Sequence, residues 1–521
     1  MGRSISAVTP EFLHIIATND SFYDEKFDRH FEIFTRDGKF FQSEFQVGAD
    51  KQEVFRDTRE VKWILGAGLN GMGGLVEKEG YLFQGPASFY SKPQKWGLSP
   101  GYEFGDYGFN RPILAGCIFC HSGRQRPIAA TNGKFESEPF SEMAIGCENC
   151  HGPGAPHKAA VFGGATRSNG KDLHIVNPAR LSPVLTNNIC MSCHQTGDVR
   201  VLKPGKTYQD FRPGQPLDDT LSILMEPPTR ESPPQNDHLE HYYSMTLSRC
   251  YRSSGNMSCI SCHDPHIEPT AEDAPAYFKT RCLTCHTEQS CKLGMEARQH
   301  TTPADNCIGC HMPKRDIRVI SHSTVTNHRI LARPDEPFPD VTFNQTTATL
   351  PDLIHLNPTP GNKGGIPPLS LLQAYGEMSQ TRPQYEERYL RVLKQIENSE
   401  PNNSLVQAAV GRRELKAEKL QEAVTHLQRS IDIGPAQANV YGDLAEALAK
   451  LGRTGESISA LRSGIGLDPF NPVLQKTLVL RLIQAKKHDE AKAALLRYLE
   501  TFPQDSFMRH MLELANGEAA R

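Results

Sequence analysis

The residues best suited to chemistry in this chain are the cysteines and histidines of the pentapeptide Cys-x-x-Cys-His, which occurs six times. Two thiols at i and i+3 can bond to the two vinyl groups of one porphyrin, while the adjacent imidazole binds the iron beneath the ring. Zinc is the alternative, but a zinc ribbon pairs two Cys-x-x-Cys knuckles around one ion and does not need a His after every second Cys. The pattern therefore predicts six covalently bound haem c groups. The predicted attachment cysteines are Cys117, Cys120, Cys147, Cys150, Cys190, Cys193, Cys259, Cys262, Cys282, Cys285, Cys307 and Cys310, and the predicted proximal iron ligands are His121, His151, His194, His263, His286 and His311.

Two further cysteines, Cys250 and Cys291, lie outside the six motifs. They flank the fourth and fifth motifs, and haem attachment requires export to an oxidising compartment, where disulfides persist. A disulfide between these two cysteines and a pair of buried, inert thiols are both open interpretations.

The histidines outside the motifs decide what the haem irons can do. A second imidazole on an iron gives a six-coordinate centre that is suited to electron transfer and closed to substrates. The candidate second (distal) ligands are His266, His157, His241, His322 and His328. For each of them the alternative is a solvated or hydrogen-bonded histidine with no iron contact.

Length and charge indicate an exported protein of more than one domain. The chain has 521 residues, a formal net charge of -3 and a pI of about 6.7, so nucleic acid and anionic membranes are not expected as partners. No run of eighteen apolar residues is present, which predicts no membrane span. The start also has no apolar signal-peptide region, so we expect that the true N-terminus is missing and that the protein is periplasmic or extracellular.

Composition divides the first part of the chain into three segments. Residues 1–110 contain no cysteine but many aromatic residues and glycines, and we expect this segment to pack on the haem domain. Residues 111–330 carry the motifs and form a domain of loops and short helices, in which haem rings replace much of the side-chain core. Residues 331–366 form a proline-rich connector, because prolines at that density prevent a helix.

The glycine-rich run in the first segment has the spacing Gly66-x-Gly68-x-x-Gly71, which fits a dinucleotide-binding loop. No acidic residue follows at the required distance, and the next stretch is too rich in glycine to begin a helix. We therefore expect a tight turn against a haem face.

The C-terminal segment, residues 367–521, has a strict repeat. Pro367, Pro401, Pro435, Pro469 and Pro503 recur every 34 residues. A helix-turn-helix unit of this period, with a proline after its second helix, is the tetratricopeptide repeat. The sequence predicts three such repeats from 401 to 502, a degenerate repeat before them and a closing helix within 504–519. Three positions recur in phase: Ala423, Ser457 and Ala491; Leu427, Leu461 and Leu495; Ile431, Ile465 and Leu499.

The whole chain resembles exported multihaem c-type cytochromes with C-terminal tetratricopeptide repeats. The resemblance is carried by Tyr81-Leu82-Phe83-Gln84-Gly85-Pro86, Asp210-Phe211-Arg212-Pro213-Gly214, Cys262-His263-Asp264-Pro265-His266 and Cys310-His311-Met312-Pro313. The haem part is similar to the tetrahaem cytochrome c that accepts electrons from hydroxylamine oxidation. The resemblance implies that His266 ligates the iron of a neighbouring haem.

The sequence departs from these relatives at two positions. Many relatives have a His where this chain has Asp24 and Asn70, so one or two irons here need another ligand or keep an open position. Relatives also carry a further Cys-x-x-Cys-His before the segment that resembles residues 1–4, which implies a seventh haem on a missing N-terminal segment.

These observations predict a mainly α protein with much irregular structure, in which a haem-cored multihaem cytochrome c domain precedes an α-solenoid of tetratricopeptide repeats. Its expected function is non-catalytic electron transfer to redox protein partners, with the repeats as a surface for a peptide, a subunit or a second copy. One alternative is a multihaem reductase that acts on a small nitrogen or sulfur oxyanion at one open haem. Another is the structural subunit of a polymeric cytochrome wire, which would form filaments.

Overall fold

The computed structural model describes residues 2–9, 13, 19–66, 68, 70–164, 174–234, 240–316, 324–343, 352–361, 365–434 and 437–516. The chain forms two compact units. The first unit combines Met1–Ala144 with Gln384–Arg521, and the second is Ile145–Pro383. The first haem motif therefore belongs to the first unit and the other five belong to the second. The boundaries predicted from the sequence do not follow this division.

The N-terminal part is built from β-sheets, which the prediction of a mainly α protein missed. An antiparallel four-stranded sheet has the order β2-β3-β4-β5, and a six-stranded sheet has the order β1-β6-β7-β8-β10 with β9 paired to β8. The strands are β1 Ile5–Ala7, β2 Asp20–Asp24, β3 Arg29–Arg36, β4 Lys39–Val47, β5 Glu53–Glu60, β6 Trp63–Leu65, β7 Gly71–Lys78, β8 Tyr81–Tyr90, β9 Lys95–Leu98 and β10 Arg111–Pro112. A helix, α1 Ala115–Phe119, and a hairpin of β11 Arg124–Pro127 and β12 Phe135–Glu142 follow.

The two sheets share one hydrophobic core because aromatic and β-branched residues alternate along their strands. Ile33 and Phe40 from one sheet pack with Phe83 and other residues of the second sheet. Gln42 lies between the sheets, where its side-chain amide donates to the carbonyl of Ala87 at 2.9 Å. The glycine-rich run is the turn between β6 and β7, so the tight turn is confirmed, whereas the haem face remains a prediction.

The second unit consists of short helices joined by long irregular segments. Its helices are α2 Glu148–His151, α3 Ala155–Phe162, α4 Pro183–His194, α5 His241–Thr246, α6 Arg249–Ser254, α7 Ala274–Cys282, α8 Met295–Gln299, α9 Cys307–His311 and α10 Pro368–Ser379. One sheet contains β13 Val199–Leu202, β14 Leu221–Met225 and β17 Ile354–His355, and a hairpin contains β15 Lys314–Asp316 and β16 Thr324–Thr326.

The C-terminal helices confirm the three predicted repeats and the closing helix. They are α11 Glu386–Ile396, α12 Ser404–Lys416, α13 Leu420–Ile433, α14 Ala438–Lys450, α15 Thr454–Leu467, α16 Pro472–Gln484, α17 His488–Thr501 and α18 Ser506–Asn516. The in-phase residues Ala423, Ser457 and Ala491 are all buried, at the close crossings of neighbouring helices. The predicted degenerate repeat differs, because α10 lies in the second unit and packs against β13.

The N-terminal sheets pack against the repeats within the first unit, a contact that the sequence did not indicate. The ring of Phe470 meets those of Tyr81 and Phe83 edge to face, at centroid distances of 5.2 and 5.0 Å. Asn110 donates its side-chain amide to the carbonyl of Thr501 at 2.8 Å. The loop after α15 and the C-terminal end of α17 are therefore anchored on the N-terminal part of the unit.

Substitution of the small residues at helix crossings tests the packing of the repeats. Ala423→Leu should overpack its crossing and lower the free energy of unfolding by about 1–3 kcal/mol. Ala493→Leu is the matched control, because Ala493 is exposed on α17. Denaturant unfolding followed by circular dichroism measures both changes. Equal stability of the two variants would contradict the close crossing.

Lys78 predicts a pH dependence of stability in the first unit. Burial lowers the pKa of Lys78 to about 7, even though its ammonium group lies 4.2 Å from the centre of the Phe83 ring. The unfolded chain holds this proton more tightly, so the free energy of unfolding should rise with pH between about 7 and the usual lysine pKa of about 10.4. Lys78→Met should remove that rise, measured as the melting temperature against pH. Lys39→Met, at an exposed ion pair with Glu60, should keep it.

Candidate haem-binding site

Each motif overlaps a helical segment, and helical turns bring reactive side chains together. The backbone N–H of His151 donates to the carbonyl of Cys147 at 2.9 Å, and that of His263 donates to the carbonyl of Cys259 at 3.0 Å. In such a turn, residues i, i+3 and i+4 lie on one face. Both thiols and the imidazole of a motif are therefore directed to the same side, as attachment to one porphyrin requires.

Two of the proximal histidines are oriented by backbone carbonyls. Nδ1 of His151 lies 2.8 Å from the carbonyl oxygen of Val176, and Nδ1 of His311 lies 2.5 Å from that of Leu331. Since a carbonyl only accepts, Nδ1 carries the proton and Nε2 keeps its lone pair. Histidines that bind metals commonly have their second ring nitrogen held in this way.

Three of the candidate distal histidines lie beside proximal ones. His266 has its ring centre 6.0 Å from that of His151, with 18° between the ring planes. The ring centres of His328 and His263 are 6.1 Å apart. Imidazole–metal bonds are about 2 Å long, so two imidazoles on opposite sides of one iron have ring centres about 6 Å apart. Both separations fit an iron between the two rings.

The third pair is His241 with His194 of the third motif, and it leads through His328 to His263 of the fourth motif. His241 has its ring centre 5.5 Å from that of His194 and 4.3 Å from that of His328. The imidazoles of His194, His241, His328 and His263 therefore form a continuous row. His157 lies on α3, and His322 lies outside the described residues, so both remain predictions.

Hydrogen bonds also orient the distal candidates. Nδ1 of His328 donates to the carbonyl of Thr326 at 3.0 Å, and Nδ1 of His266 lies 3.1 Å from a carboxylate oxygen of Asp264. In both side chains, Nε2 is left available to a metal.

Burial keeps the central imidazoles neutral, which is the form that binds a metal. Burial, followed by the neighbouring His328, lowers the pKa of His241 to about 3. Burial also lowers the pKa of His328 to about 4. Burial also lowers the pKa values of His194 and His263.

Buried polar side chains that the sequence did not single out hold this region together. The side-chain oxygen of Asn187 on α4 accepts from the backbone N–H of Cys259 at 2.9 Å, which ties the third motif to the fourth. The hydroxyl of Ser248 accepts from the backbone N–H of Ile330 at 2.9 Å and donates to the carbonyl of His328. Ser248 lies in the short segment between α5 and α6, and the buried face of α4 around Asn187 is largely polar, so no apolar period marks either position.

Cysteines of successive motifs lie near one another in the second unit. Cys150 lies near Cys190, Cys190 near Cys259, Cys262 near Cys285, and Cys282 near Cys307. The thiols of Cys190 and Cys259 are hydrogen-bonded to each other. Every motif of this unit is therefore adjacent to the next one along the chain.

The last three motifs lie in a stretch without an apolar side-chain core. Residues 248–315 are all described, and no hydrophobic side chain among them is buried. Ile267, Leu283, Leu293 and Met295 are instead 37–54% exposed. A folded segment of this length needs buried apolar area to offset its conformational entropy. Flat apolar porphyrins bound to these motifs would supply it, so the residues fit the group.

The leftover cysteines do not form the disulfide that the sequence left open. The structure gives both Cys250 and Cys291 as free thiols. Cys250 instead lies near the attachment cysteines Cys262 and Cys285. Among the described residues, no group of three or more His, Cys, Asp and Glu side chains is placed to hold a bare metal ion.

No known protein-family profile matches the chain. It is 26% identical over 214 residues to "Multiheme cytochrome MtrA" of Shewanella baltica (strain OS185), covering 39% of this chain and 61% of that protein. It is also 34% identical over 109 residues to "Cytochrome c-type biogenesis protein CycH" of Rhizobium meliloti (strain 1021), covering 19% of this chain and 29% of that protein. The chain thus spans less than two thirds of each relative. These matches fit a multihaem cytochrome with tetratricopeptide repeats.

Solved structures similar to the chain include MamA, at 18% identity and a TM-score of 0.26, covering 29% of this chain and 82% of that one. YrrB, described as a TPR protein with an unusual peptide-binding site, is 14% identical with a TM-score of 0.26, covering 29% of this chain and 77% of that one. Within the described part of the chain, none of the helices is both long and apolar enough to cross a membrane.

Removal of haem tests the role of the coreless stretch. Protein produced without haem should be cut first by trypsin within 248–315, because this stretch has no side-chain core to keep it folded, whereas α12–α17 should survive. Mass spectrometry of the early fragments identifies the first cuts. In haem-loaded protein the same sites should be protected, and equal cleavage with and without haem would contradict the role given to the rings.

Proposed function

We propose that this chain is a multihaem c-type cytochrome that passes electrons along six covalently bound haems in the periplasm or outside the cell. The observation that supports it best is the pair of imidazole couples, His151 with His266 and His263 with His328, whose ring centres are spaced to hold an iron, together with the succession of neighbouring motifs in the second unit. The similarity to a multihaem cytochrome supports the same assignment. The nearer relation to the tetrahaem cytochrome of hydroxylamine oxidation stays a prediction.

Each group of residues has its own part in this function. Haem, when bound, supplies an iron that accepts and returns one electron. The motif cysteines fix each porphyrin covalently, so neighbouring rings keep a constant separation. His266, His241 and His328 would each serve as a second histidine ligand to an iron, which would keep water and small ligands away from it. Their Nδ1 partners, where present, hold the rings rigid, so little has to move when the charge on an iron changes.

The repeats would provide the docking surface of the protein. Phe470 and Thr501 of the repeats already contact the N-terminal part of the same unit, which supports a role of this domain in protein contacts. A peptide, a subunit or a second copy of the chain would bind elsewhere on the solenoid.

A multihaem reductase remains the second candidate because of Asp24 and Asn70. Both lie in the unit that contains the first motif, with Asp24 on β2 and Asn70 in the turn before β7. If relatives use histidines there as iron ligands, the haem on Cys117 and Cys120 has an open position. Such an iron would bind a small nitrogen or sulfur oxyanion.

Replacement of the distal histidines tests the carrier function. Exported, haem-loaded protein should contain six haems by intact mass and by the pyridine haemochrome assay. His266→Ala and His328→Ala should each convert one iron from low-spin to high-spin, seen by electron paramagnetic resonance, with the haem count unchanged. His174→Ala, at an exposed position, is the control and should leave the spectrum unchanged.

Two results would contradict the carrier function. If His266→Ala and His328→Ala both leave every iron low-spin, the paired imidazoles are not ligands. If the unmutated protein binds carbon monoxide stoichiometrically and turns over nitrite or hydroxylamine, the reductase is correct instead.

A further inference from the structure

Arginines gather on the surface of the second unit beside the fourth, fifth and sixth motifs. Arg249 and Arg252 lie on α6, Arg315 lies on β15, and Arg329 follows the candidate ligand His328. We call these four residues the arginine patch. Arg249, Arg252 and Arg315 are exposed, whereas Arg329 is 5% exposed. The chain as a whole has a net charge of -3, so this concentration of positive charge runs against its overall composition.

The patch is held together by defined contacts. The hydroxyl of Ser248, directly before Arg249, binds the backbone of the segment that contains Arg329. The guanidinium of Arg329 donates to the carbonyl of Glu336 at 2.8 Å and lies over the ring of Phe338. Arg315 on β15 pairs across the hairpin with Val325 on β16, the strand that leads to Arg329, and Arg252 lies one helical turn after Arg249 on α6.

One carboxylate offsets part of this charge. Glu336 accepts from Arg249 at 3.0 Å, and its side chain is 10% exposed. Arg252 and Arg315 therefore present their charge to solvent beside a neutralised pair. Like charges on one surface repel, so an anionic partner would relieve the repulsion among these arginines.

The patch also lies beside the proposed electron path. Cys250, between the two arginines of α6, neighbours Cys262 of the fourth motif and Cys285 of the fifth. The segment that carries Arg329 also supplies His328, and the carbonyl of Leu331 binds the proximal His311. An anion bound at the patch would thus lie near haems of the fourth to sixth motifs.

We propose that the arginine patch is the docking surface for the acidic face of a redox protein, and that electrons enter or leave the chain there. This inference rests on the proposed function. Positive charge around the exit of an electron path raises the local concentration of a negatively charged partner and speeds encounter at low salt. The arginines, whose charge does not titrate near neutral pH, would keep this attraction constant.

Charged oxidants of opposite sign test the patch on the full haem-loaded protein. In the reaction with hexacyanoferrate(III), one electron leaves a ferrous haem, which becomes ferric, and the oxidant becomes hexacyanoferrate(II), with no proton transferred. The test variant is Arg252→Glu with Arg315→Glu, which leaves Arg249 and the buried Arg329 in place. The control is Lys394→Glu with Lys492→Glu, which changes the net charge equally on exposed helices of the repeats.

Stopped-flow rates with hexacyanoferrate(III) at low ionic strength should fall about ten-fold in the patch variant and much less in the control. With tris(phenanthroline)cobalt(III), a cation, the patch variant should react faster. Both differences should vanish at high salt, where exposed charges are screened. Poly-L-glutamate, as a model of an acidic face, should slow the reaction of the unmutated protein and the control with hexacyanoferrate(III) but not that of the patch variant.

The outcomes of these experiments distinguish a failure of the arginine-patch proposal from a failure of the proposed function. Equal rates for the patch variant and the control, with a normal haem spectrum, would overturn the patch alone. Slowing by added sodium chloride but not by poly-L-glutamate at equal ionic strength would also overturn it, because the surface would then attract small anions only. A protein without any haem spectrum would overturn the proposed function and this inference together. Arg252→Gln with Arg315→Gln should give an intermediate rate, which guards against misfolding of the charge-reversed variant.

Discussion

The constraint on which the second unit depends is the shortage of apolar side chains where the motifs are densest. Residues 248–315 bury no hydrophobic side chain, yet they contain three motifs and four short α-helices. Backbone order at this length costs more free energy than isolated hydrogen bonds return. The organisation of this unit therefore follows from the rings proposed to fill it, with polar residues such as Asn187 and Ser248 linking one segment to the next.

The first unit, in contrast, is stabilised by buried hydrophobic side chains. Its repeats bury in-phase leucines and small residues, and its sheets bury an aromatic core that extends to Phe470. Since this unit has its own apolar cores, its stability does not need to follow haem loading in the way proposed for the second unit. The first motif differs from the other five, because Ile118 of its helix α1 packs into a hydrophobic cluster of this unit.

The imidazole pairs and the arginine patch serve one proposed function, electron transfer. The pairs would hold the irons, and the patch would bind the partner protein. Paired imidazoles make an iron a carrier and not a catalyst, because no position remains for a substrate. A carrier must exchange electrons with partners, and partners need a surface to recognise. Charge supplies speed and selectivity in such encounters without the large interface that a permanent complex needs.

The sequence by itself determined the parts of this protein that depend on short-range spacing. Cys-x-x-Cys-His predicted which cysteines and histidines would act together on one porphyrin, and the 34-residue period predicted three helix pairs with buried Ala423, Ser457 and Ala491. The sheets of the N-terminal segment were missed because their glycines and aromatic residues obscured the alternation of inward and outward side chains. Only the tertiary structure decided which histidines pair, since His266 and His151 are brought together by long irregular segments. It also decided that α10 lies outside the repeats and that arginines from three separate segments belong to one region, because those contacts depend on how separate segments pack and not on any local pattern.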